Sequence, residues 1–128
     1  ATGRSLLARL PDDTVREMFA GGWPIPSATA PQNMDDLIAR IHEVRRTGLS
    51  ESNDESNRGV GALATAVGDP QTGEAISMCV TYPAATITPD ERAIIVSGLL
   101  AGARSIAAVL GDKQCHSLRP IPQGSQRK

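Results

Sequence analysis

The chain has 128 residues and near-balanced charge, 13 Lys and Arg against 14 Asp and Glu; this suits one domain around one core and gives no electrostatic basis for holding nucleic acid by itself. One Trp, one Tyr and one Phe leave little for base stacking. Cys79 and Cys115 show neither metal-ligand spacing nor a disulfide framework, which fits a reducing cytosol, and no signal peptide and no apolar run long enough to span a bilayer are read.

Thr2 is placed to cap a short helix over 3–10. Pro11, Asp12 and Asp13 open a second, with Pro in the first turn and carboxylates at the positive end of the dipole. Val15, Met18 and Phe19 give it an apolar face, and Gly21 and Gly22 end it. Residues 23–31, WPIPSATAP, hold too many prolines for a helix or a central strand. Asn33 caps the next helix, in which Met34, Leu37, Ile38, Ile41 and Val44 follow the helical period. Arg45 and Arg46 fall in its last turn and Gly48 ends it. His42 lies on its polar side and reads as a solvated histidine, since no second His or Cys stands at ligand spacing.

Residues 50–58, SESNDESNR, read as a solvated connector. Two alternating strands follow, joined by the turn formers of 68–73, GDPQTG, which lack the Lys and spacing of a phosphate loop. Because strand side chains alternate with period two, Leu63, Val67, Ile76, Met78 and Val80 share a bulky face expected to meet the core. Ala62, Ala64, Ala66, Ser77, Cys79 and Thr81 share a face too small to fill much volume. Such a face either lets a helix pack close or leaves room for a small ligand. Thr88-Pro89-Asp90-Glu91 reads as a capping box opening a long helix to Leu110, stopped by Gly111. Ile95, Leu99, Ala103, Ile106 and Leu110 form its expected buried stripe; Ile94, Leu100, Ala101, Ala107 and Ala108 form a second apolar surface, enough to meet another subunit. The tail over 113–128, with Pro120, Pro122 and Gly124, is expected to be disordered, and His116 and Cys115 within it receive no role.

Several of these segments, in their order, resemble one family. Glu55 four residues before Gly59, the strand from Val60 to Val67, Asp69, Gly73 and the ending Thr81-Tyr82-Pro83 resemble the effector-binding domain of IclR-type bacterial transcriptional regulators. The start Thr2-Gly3-Arg4-Ser5-Leu6-Leu7-Ala8 is similar to that family's small-Gly-Lys/Arg-x-x-Leu-Ala helix start. Leu37, Val44, Arg45 and Gly48, and later Ala103, Ile106 and Leu110-Gly111, match its two further helix patterns. The resemblance runs over 1–112 and implies an α+β, GAF-like fold: a mainly antiparallel sheet with helices packed on one face and a ligand pocket on the other. It implies sensing of a small organic effector, often a carboxylate, by a cytoplasmic homodimer or tetramer that regulates transcription. It also implies an earlier winged helix-turn-helix domain and first strands, expected to be missing from this stretch, through which alone DNA would be bound. Carried over residue by residue, the ligand positions are Thr2, Ser52, Val60, Ala62, Cys79 and Thr81. Common members carry Asp where Ser52 stands and Cys where Ala62 stands, so a larger or partly aromatic acid is expected rather than a very small one. Glu55 is expected to fix its loop through backbone N–H groups.

Neither cofactor nor metal is expected, and no catalysis. A nucleophilic Cys79 would need a base and a lowered pKa, and the histidines lie on a polar helix face and in the tail. The alternative to sensing is a structural oligomerisation module without a ligand, its small-residue face used only for packing.

Overall fold

A computed structural model gives the fold; it describes residues 1–55 and 57–114. The expectation of a disordered tail falls, apart from Lys113 and Gln114, outside the described residues, as do Cys115 and His116. The elements in order are α1 (Thr2–Leu7), α2 (Asp12–Met18), α3 (Met34–Thr47), β1 (Ser50–Asn53), β2 (Val60–Gly68), β3 (Ala75–Pro83) and α4 (Pro89–Leu110). The three strands form one antiparallel sheet in the order β1-β2-β3. An α+β fold with an antiparallel sheet is therefore what the chain adopts.

Local chemistry sets the helix ends. The Asn33 side chain accepts from the Asp36 N–H at 2.8 Å, and Gly48 closes α3 in the left-handed region at φ 79°. At α4 the Thr88 hydroxyl accepts from the Glu91 N–H at 3.1 Å while the Glu91 carboxylate accepts from the Thr88 N–H at 3.0 Å. Thr2 does not cap α1. It lies inside the helix behind Ala1, and α1 ends at Leu7, short of Leu10.

One apolar cluster joins Val15 of α2 to Leu37, Ile38 and Ile41 of α3, with Leu7, Leu10, Phe19 and Trp23 packed around it. A second joins Val67 of β2 to Ala103 and Ala107 of α4, flanked by Met78 and Ile106. The sheet thus has α4 on its bulky face. α1 crosses all three strands on the small face, where its Ser5 hydroxyl donates to the Ser77 hydroxyl at 2.7 Å.

Four sequence expectations need correction. Residues 50–53 are a strand rather than connector: their side chains are polar, but β1 is held by the backbone ladder to β2, which side-chain pattern does not reveal. Ile76 and Val80, on the bulky face, are exposed, because α4 lies mainly over β2 and leaves β3 largely uncovered. In α4 the buried residues are Leu99, Ala103 and Ala107, so Ala107 belongs to the sheet side, while Ile95, Ile106 and Leu110 are only half-buried. Finally, α4 is, by length and composition, apolar enough to cross a membrane. The charges Asp90, Glu91 and Arg92 are confined to its first turn, and Arg104 is the one charge in the 18 residues 93–110, too little to offset their apolar character. Its Ala and Leu side chains are used here against a sheet.

Candidate functional site

The register fixes which side chains share the small face. Ser52 stands opposite Ala62, and Ala62 opposite Thr81; Ser50 stands opposite Ala64, and Ala64 opposite Cys79. These are two adjacent rows across the sheet, on the side away from α4. Val60, opposite Pro83, lies beyond the first row on the same face. Ala62 and Ala64 are buried, Ser52 is half-buried, and Val60, Cys79 and Thr81 are exposed. Thr2, also exposed, lies in the first turn of α1. Five of the six expected ligand positions thus share one face, and the sixth is on the helix that crosses it. They form a shallow surface with alanines along its middle strand.

Two clefts lie beside this face, and none of the six residues lines either. One, about 710 Å³ between α1 and α3, is bordered by Arg9, Arg45, Arg46 and Lys113. The other, about 940 Å³, is more apolar and lies between α1–α2 and the β2–β3 turn, against Leu6, Leu10, Phe19 and Ala75. The arginines of the first are engaged. Arg9 donates twice to Asp112, both at 3.0 Å, and Arg45 donates to Asp12 and to the carbonyls of Ala8 and Leu10.

α1 is anchored to the sheet by polar contacts. Arg4 donates to both Glu55 carboxylate oxygens, at 2.6 and 2.7 Å, and to the Glu51 carbonyl at 2.7 Å. Both side chains are about 10% exposed, so this is a desolvated, bidentate pair. The expectation that Glu55 binds backbone N–H groups is corrected: its neighbour Asp54, at φ 58°, does that, accepting from the Gly59 N–H at 2.5 Å. The partner of Glu55 was hidden because it lies 51 residues away in sequence.

At the other end of α1, Asp112 follows the α4 cap. It accepts from Arg9, from the Gly68 N–H at 2.9 Å and from the Gln114 N–H at 3.1 Å. Burial alone would push its carboxyl up; Arg9 and the two N–H groups outweigh that and hold it below the usual carboxylate value.

His42 is exposed on α3 with Asp12 as its partner at 2.6 Å. Among the described residues no group of three or more His, Cys, Asp or Glu is arranged to hold a metal ion.

A family profile described as the C-terminal part of the bacterial transcriptional regulator IclR matches residues 1–108. The chain belongs to the IclR C-terminal family. Solved structures of the same fold agree. A regulator of Silicibacter sp. TM1040 assigned to IclR superposes with a TM-score of 0.80 at 24% identity, over 94% of this chain and 47% of its own. The C-terminal domain of the E. coli transcriptional regulator KdgR gives 0.76 at 26% identity, over 87% and 68%. A double mutant of the inducer-binding domain of PobR from Acinetobacter, solved with 3-hydroxybenzoic acid, gives 0.68 at 20%, over 82% and 61%. No curated protein matches the sequence. The chain therefore spans about half the length of the Silicibacter regulator. The IclR C-terminal domain is the effector-binding part of transcriptional regulators, and no enzyme stands among these relatives.

Proposed function

We propose that this IclR domain senses a small organic acid on the small face of its sheet, with Thr2, Ser52, Val60, Ala62, Cys79 and Thr81 as the contacting residues. The observation that carries the reading is the row Ser52–Ala62–Thr81, turned away from α4 and left open at β3. Hydroxyls at both ends of that row orient a polar ligand, and the alanine between them leaves room for its body. No cationic side chain in the row is present to clamp a very small anion, which favours a larger, partly aromatic acid. The hydroxybenzoate held by the PobR domain is an acid of this kind.

In the same reading the domain works as a homodimer or tetramer in the cytoplasm. Ile94 and Val109 of α4 are 73% and 87% exposed and Ile76 of β3 is 56% exposed, an apolar surface that a second copy would cover. DNA is contacted only through an N-terminal winged helix-turn-helix domain, and ligand binding alters assembly and hence operator affinity.

Thermal melting with a panel of carboxylic acids tests the sensing role. A true effector present at about 100 times its Kd stabilises by about 2.7 kcal/mol. A panel of aliphatic and aromatic acids that leaves the melting temperature unmoved would favour the purely structural oligomerisation module.

A further inference from the structure

We infer that Ser50 is a ligand-contacting residue of the small face, its hydroxyl taking the inner polar group of an elongated acid that lies across β2. This rests on the sensing role proposed above and adds a residue outside the six positions assigned to it. Ser50 is fully buried, and its hydroxyl oxygen has no hydrogen-bond partner among the described residues. Buried hydroxyls are almost always satisfied, and leaving one unmade is costly where alanine would fit. The contrast is local. Ser5 and Ser77 on the same face are bonded to each other, and the Thr65 hydroxyl on the opposite face donates to the Gly48 carbonyl at 2.8 Å.

Register places Ser50 where a ligand on the proposed site would reach. It begins the row Ser50–Ala64–Cys79, beside the row Ser52–Ala62–Thr81. Exposure falls along this row from Cys79, which is open, to Ala64 and Ser50, which are closed. Ala64 stands between its two ends, with α1 crossing over this face of the sheet. Two strand spacings of about 4.8 Å separate them, about 10 Å in all. That is the length of a ring or short chain with a polar group at each end. The ligand class is thus an organic acid whose far end bears a hydroxyl, carbonyl or second carboxylate, with the carboxylate at the open end near Thr81.

The test uses the full chain, wild type and Ser50→Ala, with two pairs of probes that differ by one polar group: benzoate with 3-hydroxybenzoate, and hexanoate with adipate. In the wild type, the doubly polar member of a pair binds more tightly. In Ser50→Ala that preference disappears, its Kd rising by about tenfold, while the free protein melts at the same temperature or a few degrees higher. A preference that survives in Ser50→Ala overturns the Ser50 inference alone. So does a free Ser50→Ala that melts several degrees lower, because the hydroxyl would then have had a partner. The absence of any wild-type response to all four acids overturns the sensing role and the Ser50 inference with it.

Discussion

Glu55 is the residue through which the loop after β1 is tied to α1, and its chemistry sets a sharp expectation. It is buried against two guanidinium groups, Arg4 in bidentate contact and Arg40 at 3.6 Å. Removing the carboxylate leaves Arg4 charged, desolvated and unpaired, which costs far more than the intact pair contributes. Glu55→Gln should therefore destabilise the domain by about 3 kcal/mol. The double replacement Arg4→Met with Glu55→Leu should recover most of that. Urea titrations of the three proteins check this, and a double mutant no better than Glu55→Gln would contradict it.

Asp112 carries a pH dependence of known sign. Its folded pKa lies below the unfolded value, so its contribution is complete above about pH 4 and is lost as pH falls through the folded pKa. Wild type should lose stability on acidification below pH 4 more steeply than Asp112→Asn. Parallel acid limbs in melting scans of the two proteins would refute the assignment.

These two residues also mark where sequence reading stops. The caps at Asn33, Thr88 and Gly111 were legible because their partners lie three or four residues away. Glu55–Arg4 and Asp112–Arg9 were not, because their partners lie 51 and 103 residues away, and nothing local distinguishes a buried Glu from a solvated one.

Among the elements, strand parity was the most faithful guide: it separated Ala62, Cys79 and Thr81 from Leu63 and Val67 before any fold was known. It could not show β1, whose Ser, Glu and Asn residues carry no apolar alternation, nor how far α4 reaches across the sheet. That reach decides why Val67 is buried and its strand partner Ile76 is exposed. Gly61 illustrates a contact beyond parity. A Cβ there would meet the Tyr82 ring at 2.4 Å, so Gly61→Ala must displace the ring that covers this part of the sheet.

α4 yields a further prediction. Its Gly98 and Gly102 have nothing within 4 Å of where a Cβ would stand, so alanine at each should raise helix stability by about 0.5–1 kcal/mol. If a second copy packs closely on these glycines, the same substitutions should weaken self-association in sedimentation while raising the stability of the monomer. A stabilised protein with unchanged assembly would place the subunit contact elsewhere, at Ile94 and Val109 or on β3. The capping box is simpler: Thr88→Ala should cost about 1 kcal/mol.

For the molecule as a whole, the fold divides work between the two sides of one thin sheet. α4 supplies packing on one side. On the other, α1 is held by ionic and hydroxyl contacts over alanines and small polar groups, and part of that face stays open. If the proposed ligand lies against Ala62, Ala62→Leu should take its place, erase the response to effector and leave the melting temperature of the free protein within a few degrees. If the space were already packed, overfilling would cost about 1–3 kcal/mol.

The central claim is that an organic acid binds on this face, and amide chemical-shift mapping by NMR tests it most directly. With the acid that most raises the melting temperature, the account predicts saturable shifts at Ser52, Ala62, Cys79 and Thr81 and at the start of α1, with the outer side of α4 unmoved. Shifts confined to the basic cleft around Arg46 and Lys113, or to α4, would contradict it.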